Sequence, residues 1–314
     1  MLFYAFTAVC TLLLMGWGAF VTSINAGLAV PDWPKSFDSW DMLNPWPEWW
    51  TMTPVLAEHG HRLLGTLVGM LTIGIAVWTF FADSRKWMRW LGAGALFLVI
   101  FQGVLGGLRV TLVSLDLAVV HACVAQIFFA TIVSLALFTS KTWFVGSRAP
   151  GGADSVKLRG LVAFSTTAVF IQIVFGALLR HPGTGIDTFL ATTHIIWAFV
   201  VAILIVATIV QVHLNYGEHV ALKKIINFAG GLLAVQIVLG FTAFFVLLDE
   251  AGLLQPSNLQ VVINSSHMLT GALLMSTMVC CALLILRRSQ RLPETEKRTR
   301  DRVSNSIPET SIIQ

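Results

Sequence analysis

Eight stretches of the chain, near residues 2–24, 61–82, 91–109, 118–139, 160–179, 189–212, 226–248 and 263–286, are almost purely apolar. Each is close to the length of about 20 residues that a helix needs to cross a bilayer. Inside lipid the backbone must satisfy its own polar groups, so a spanning segment is a helix or a strand of a closed barrel. The runs are continuous rather than alternating, which argues against a barrel. Composition closes the alternatives. Only 11% of the 314 residues are charged and 56% are hydrophobic, whereas a soluble domain carries about 25% charge. A soluble globular enzyme, a disordered chain and a nucleic-acid binder are all excluded.

Lys and Arg set the orientation. Sixteen of the 20 fall after spans two, four and six or in the C-terminal tail; only Lys35, Arg62, Arg109 and Arg180 lie on the other side. The positive-inside rule then places both termini in the cytoplasm of a multi-pass cell (inner) membrane protein. The opposite loops carry Trp33, Trp40, Trp46, Trp49 and Trp50, whose rings favour the headgroup level. The first run has no basic leader and no obvious cleavage site, so a retained span is expected. Residues 287–314 are polar and charged and read as a cytoplasmic, disordered tail. Cys10, Cys123, Cys280 and Cys281 fall inside spans, so no disulfide is indicated.

The chain repeats itself. Spans three, five and seven share a phrase, Gln102-Gly-Val-Leu-Gly106, Gln172-Ile-Val-Phe-Gly176 and Gln236-Ile-Val-Leu-Gly240, and span one has Gly18 at the matching place. Every even span has a His near its outer end: His61, His121, His194 and His267. An even number of crossings returns each half to its starting side, so the halves are parallel repeats about an axis along the membrane normal. The expected fold is an all-α polytopic membrane protein, eight transmembrane helices in two four-helix bundles, residues 1–147 and 148–286.

The four histidines share a second feature. The residue at i+4, on the same helix face, is always small: Gly65, Ala125, Ala198 and Gly271. A small residue beneath an imidazole leaves room for a flat group against the helix, as a porphyrin with an axial His requires. Small residues also serve plain helix packing in membranes. Zinc is the alternative metal, but no Cys and no carboxylate accompanies three of the four. A two-His axial site in each half suits haem iron better.

Glu58 stands at i−3 from His61 and shares its face, while Ala191 and Asn264 hold the equivalent places before His194 and His267. A carboxylate there suits proton transfer or charge stabilisation; an acid early in a helix also complements the helix dipole. Arg62, Arg109 and Arg180 are suited either to haem propionates or to snorkelling toward headgroups. His59 points to another face, His181 is expected at the surface, and His213 and His219 are expected solvated in a loop.

The stretch Gly18-Ala-Phe-Val-Thr-Ser-Ile-Asn-Ala-Gly-Leu-Ala-Val-Pro-Asp-Trp-Pro34 resembles the first-span signature of haem A synthases, and Glu58-His-Gly-His-Arg62 resembles their E-x-x-H-R motif. The Q-x-x-x-G repeats and the outer His of spans four, six and eight agree, so the resemblance covers residues 1 to about 286. It implies that the N-terminal bundle holds the substrate haem O between His61 and His121, with the residue matching Glu58 catalytic. The C-terminal bundle would hold a haem b between His194 and His267. From the i+4 pattern and the outer arginines above, Gly65, Ala125, Ala198, Gly271, Arg62 and Arg180 are the residues expected to line the two sites. The implied activity oxidises a methyl group of haem O to a formyl group, giving haem A for terminal oxidases, with electrons leaving through haem b to an unidentified partner. Haem O synthase and terminal-oxidase assembly factors are the protein partners this implies. One branch of the family carries Cys pairs in outer loops; the loop at 180–188 has none here, and Arg109 has no clear place in the family pattern. The residues also suit a di-haem b cytochrome carrying electrons from quinol, although Glu58 would then have no special role. A parallel-repeat transporter would need ionisable groups near the bilayer midplane, and here nearly all lie at the ends.

Overall fold

The computed structural model describes residues 1–144, 153–180, 187–216, 219–249 and 256–289. Among them the regular structure is helical: α1 (Leu2–Ser23), α2 (Thr53–Ala82), α3 (Lys86–Thr111), α4 (Leu115–Phe138), the short α5 (Lys141–Phe144), α6 (Ala153–Arg180), α7 (Thr188–Asn215), α8 (Val220–Asp249) and α9 (Asn258–Ser289). All but α5 are long and apolar enough to cross a membrane. These eight are the spans expected from the apolar runs. The boundary expected near 147, His181, and most of the tail lie outside the described residues.

The helices overrun the apolar runs, most at α2, which begins eight residues before His61. Hydropathy falls where polar side chains begin, yet helical hydrogen bonding continues wherever the ends are capped. Pro54 fits the first turn of α2, where its missing N–H costs nothing. The Ser114 and Asp187 side chains accept from the amides of Leu117 and Leu190, capping α4 and α7. Buried hydroxyls such as Thr11, Thr72 and Ser134 bond the carbonyl four residues back, which leaves no donor unpaired in the apolar interior.

Packing follows chain order. α1 lies against α2 and α4, and α3 against α2 and α4; likewise α6 lies against α7 and α9, and α8 against α7 and α9. One apolar cluster joins Tyr4, Val68, Ile75, Met88, Ala95 and Ile132; another joins Val162, Ile205, Ile226 and Met278. A Tyr4–Thr79 hydroxyl pair ties α1 to α2 (2.9 Å), and a Ser165–Thr208 pair ties α6 to α7 (3.0 Å). The two sets meet where α9 packs on α1 and α4, through Met15, Phe129 and Ala272. Accordingly 61% of the apolar window of α9 is buried, against 17–39% for the other seven long helices. Phe81, Trp90 and Phe199 on other helices are exposed, as a lipid-facing surface requires.

Two expectations about histidines change. His213 is exposed but sits within the last turn of α7. His219 is buried, its ring 5.7 Å from that of Tyr216. Its backbone amide donates to the Tyr216 carbonyl.

Candidate histidine sites

Each of the four histidines sits about two turns into its helix, and each ring rests on a glycine of the preceding long helix. A Cβ added to Gly18 of α1 would stand 2.9 Å from Cε1 of His61; the corresponding distances are 3.3 Å from Gly106 to His121, 3.1 Å from Gly176 to His194 and 3.1 Å from Gly240 to His267. Carbon atoms settle at about 3.5–4.0 Å, so only glycine admits these rings in place. The glutamine four residues earlier completes the seat. Gln102 Nε2 donates to the His121 carbonyl (3.0 Å). Gln172 Nε2 donates to the His194 carbonyl (3.0 Å) and lies 3.2 Å from its Nε2, and Gln236 Nε2 lies 3.3 Å from Nε2 of His267. In α1 the matching residue is Leu14. The Q-x-x-x-G phrase is thus a histidine holder, with glycine for shape and glutamine for orientation.

In all four rings Nδ1 is buried without a hydrogen-bond partner. Such an atom costs about 1–3 kcal/mol, and four at equivalent places mark rings that the protein leaves partly unsatisfied. The His194 and His267 rings stand 6.4 Å apart between centroids. Two imidazoles on opposite sides of one ion, each at a metal–nitrogen distance of about 2 Å, would have centroids roughly 6 Å apart. No group of three or more His, Cys, Asp or Glu side chains converges among the described residues, so side chains alone do not complete a four-ligand zinc site there. The donor set fits a metal that brings its remaining ligands with it, as haem does.

The small residues at i+4 divide. Nothing lies within 4 Å of a Cβ built on Gly65, and one on Gly271 would meet Gln236 Nε2 at 3.3 Å. Ala198 is half-buried. Ala125 packs into the cluster of Met15, Phe129 and Ala272, which gives its small size an ordinary helix-packing reason.

Glu58 is 4% exposed. Its Oε2 accepts the Val30 amide (2.9 Å) and its Oε1 pairs with Arg62 (2.8 Å). Arg62 also donates to the carbonyls of Val30, Asp32 and Lys35 (3.0, 2.7 and 3.3 Å). The pair therefore clasps the connection between α1 and α2 over the His61 end of α2. His59, on another face, helps by placing its ring 5.0 Å from Trp49 and its Nδ1 3.3 Å from Ser36 Oγ. Arg180 reaches across to α1 and α9, donating to the Ala19 and Asn264 carbonyls (2.9 and 3.3 Å) and to Ser23 Oγ (2.5 Å). It joins the turn that follows Gly18 to the turn that precedes His267.

The family model of a cytochrome oxidase assembly protein, COX15-CtaA, matches residues 50–190. A haem A synthase of Shouchella clausii is 31% identical over 185 residues, 56% of this chain and 57% of the relative. Those of Alkalihalophilus pseudofirmus and Symbiobacterium thermophilum are each 28% identical, over 180 and 187 residues, again 56% of this chain and 57% of theirs. Over these residues the chain is similar to haem A synthases. Its eight long apolar helices make it a multi-pass membrane protein, and the matched stretches take in little more than half the length of these synthases. Residues 50–190 carry Glu58, His61, Arg62, His121 and Gly176; His194 and His267 lie beyond them.

Sequence reasoning left two features without a role. One is the seating of each ring on its glycine, signalled by the repeats. The other is Gly27, whose backbone lies against the guanidinium of Arg109; this contact joins residues far apart in sequence and leaves no local signal.

Proposed function

We propose that this chain is a haem A synthase, an oxidoreductase that converts a methyl group of haem O to the formyl group of haem A. The observation that carries the proposal is the set of four glycine-seated imidazoles combined with a carboxylate that, among the described residues, is buried beside only one of them. In this reading residues 1–147 and 148–286 are two four-helix bundles related by a pseudo-two-fold axis along the membrane normal. The matching helix contacts of the two halves support it. Both termini are cytoplasmic and the histidines lie toward the outer face, in line with the distribution of Lys and Arg.

His61 and His121 would hold the iron of haem O, the substrate, and Gly65 leaves open space one turn from His61. Converting the methyl to a formyl group would remove four electrons and four protons and take one oxygen atom from water. A carboxylate next to the reacting edge stabilises the developing positive charge and accepts a proton. Glu58 suits this role because Arg62 and the Val30 amide hold it in one orientation. His194 and His267, oriented by Gln172 and Gln236, would hold haem b, which supplies one-electron transfer to an outside acceptor. Arg180 fixes the backbone between the two pairs.

Glu58→Gln tests the assignment. It keeps the acceptor for Val30 and removes the charge. Haem A formation in cells should fall by about 100-fold or more, with second-site haem content unchanged. Unchanged haem A output would remove Glu58 from the chemistry.

A further inference from the structure

Three arginines flank the histidine ends of the helices, and the structure separates them. Arg62 spends both terminal nitrogens on three carbonyls and Glu58. Arg180 spends both on two carbonyls and a hydroxyl. Arg109, in the last turn of α3, makes no hydrogen bond or ion pair through its guanidinium among the described residues. A last-turn arginine that only complemented the helix dipole could extend into solvent. Arg109 instead is half-buried, its guanidinium laid on the backbone of Gly27 so closely that a Cβ there would overlap Nη1, Nη2 and Cζ. Trp33 packs the same way on Gly107, two residues earlier in α3. The connection from α1 thus presses Arg109 inward, one turn beyond Gly106, the glycine on which the His121 ring rests.

Glu58 does not consume this charge, since its oxygens are already held by Val30 and Arg62. The first histidine pair therefore has one cation to spare, a planar fork of donors shaped for a carboxylate. The second pair has no counterpart: seven residues after Gln102 stands Arg109, and seven after Gln236 stands Ala243. We infer that Arg109, positioned by Gly27, binds a carboxylate of the substrate held by His61 and His121, and so distinguishes the substrate site from the cofactor site. This rests on the reading of that pair as a tetrapyrrole site. A tetrapyrrole with propionate arms supplies the carboxylate, and its diester does not.

The test is titration of the purified full-length protein in detergent with haem O and with haem O dimethyl ester, followed by the imidazole-ligated absorption spectrum. Wild type should bind the acid about tenfold or more tightly than the ester. Arg109→Gln and Gly27→Ala should both erase that preference by weakening only the acid, while Arg109→Lys keeps part of it. The haem carried by His194 and His267 reports folding in every variant and should be unchanged. Equal acid-to-ester ratios in wild type and Arg109→Gln would overturn the inference while leaving the haem site standing. Absence of any binding that His61→Ala abolishes would overturn the site itself, and the inference with it.

Discussion

Replacing Gly18 with Ala should empty the first histidine site while leaving the helices at least as stable. The new Cβ would stand 2.9 Å from His61 Cε1. A relaxed carbon contact needs about 3.5 Å or more, so the ring must retreat by roughly 0.6 Å. The helices have little room to part, because Trp17, the residue before Gly18, donates to the Ala57 carbonyl at 2.7 Å. Metal ligation tolerates displacements of only about 0.2 Å, and losing the support of a ligand costs about 10–100-fold in affinity. Haem O binding at the first site should therefore weaken by about tenfold or more. Helix propensity moves oppositely, since Ala in place of Gly favours a helix by about 1 kcal/mol. The assay is haem O titration beside thermal unfolding of the haem-free protein. Gly176→Ala, whose Cβ would stand 3.1 Å from His194 Cε1, should act on the second site alone. Gly18→Ala protein that binds haem O normally would refute the seating argument; protein that merely unfolds would show that Gly18 serves packing instead.

Arg62→Ala should loosen the connection between α1 and α2. It strands a 6%-exposed carboxylate, and breaking such a buried pair costs about 3–5 kcal/mol. Faster tryptic cleavage at Lys35 checks this, and an unchanged rate would count against the clasp. Gln172→Leu should shift the spectrum or potential of the haem at His194, because Gln172 approaches the ring itself. Gln102→Leu, which loses a bond to a backbone carbonyl, should cost about 1 kcal/mol of stability with a smaller spectral change. Equal spectral effects would contradict the contrast.

Much of this was legible along the chain because it is local or periodic. The eight spans follow from run length, and the shared face of Glu58 and His61, three residues apart, follows from helix geometry. The ends of the spans were less legible, since hydropathy stops at Thr53–Arg62 while the helix, begun by Pro54 in its first turn, does not. The partners of Glu58 and Arg62 were hidden for another reason. Val30, Asp32 and Lys35 reach them only when an irregular connection folds back, and no periodicity describes such a path. The same holds for Arg109 on Gly27. Arg62, Arg109 and Arg180 looked alike in sequence because all are basic and adjacent to spans; what separates them is which backbone carbonyls lie nearby, a property of tertiary structure.

The central claim is that this chain makes haem A from haem O at the histidine pair beside Glu58. Chromatography of haems extracted from membranes supplied with haem O, with wild-type chain, with His61→Ala and with no chain, tests it most directly. Haem A should appear only with the wild-type chain, and His61→Ala should retain the second-site haem without producing any. Wild-type membranes that carry haem at both sites yet return haem O unaltered would contradict the account.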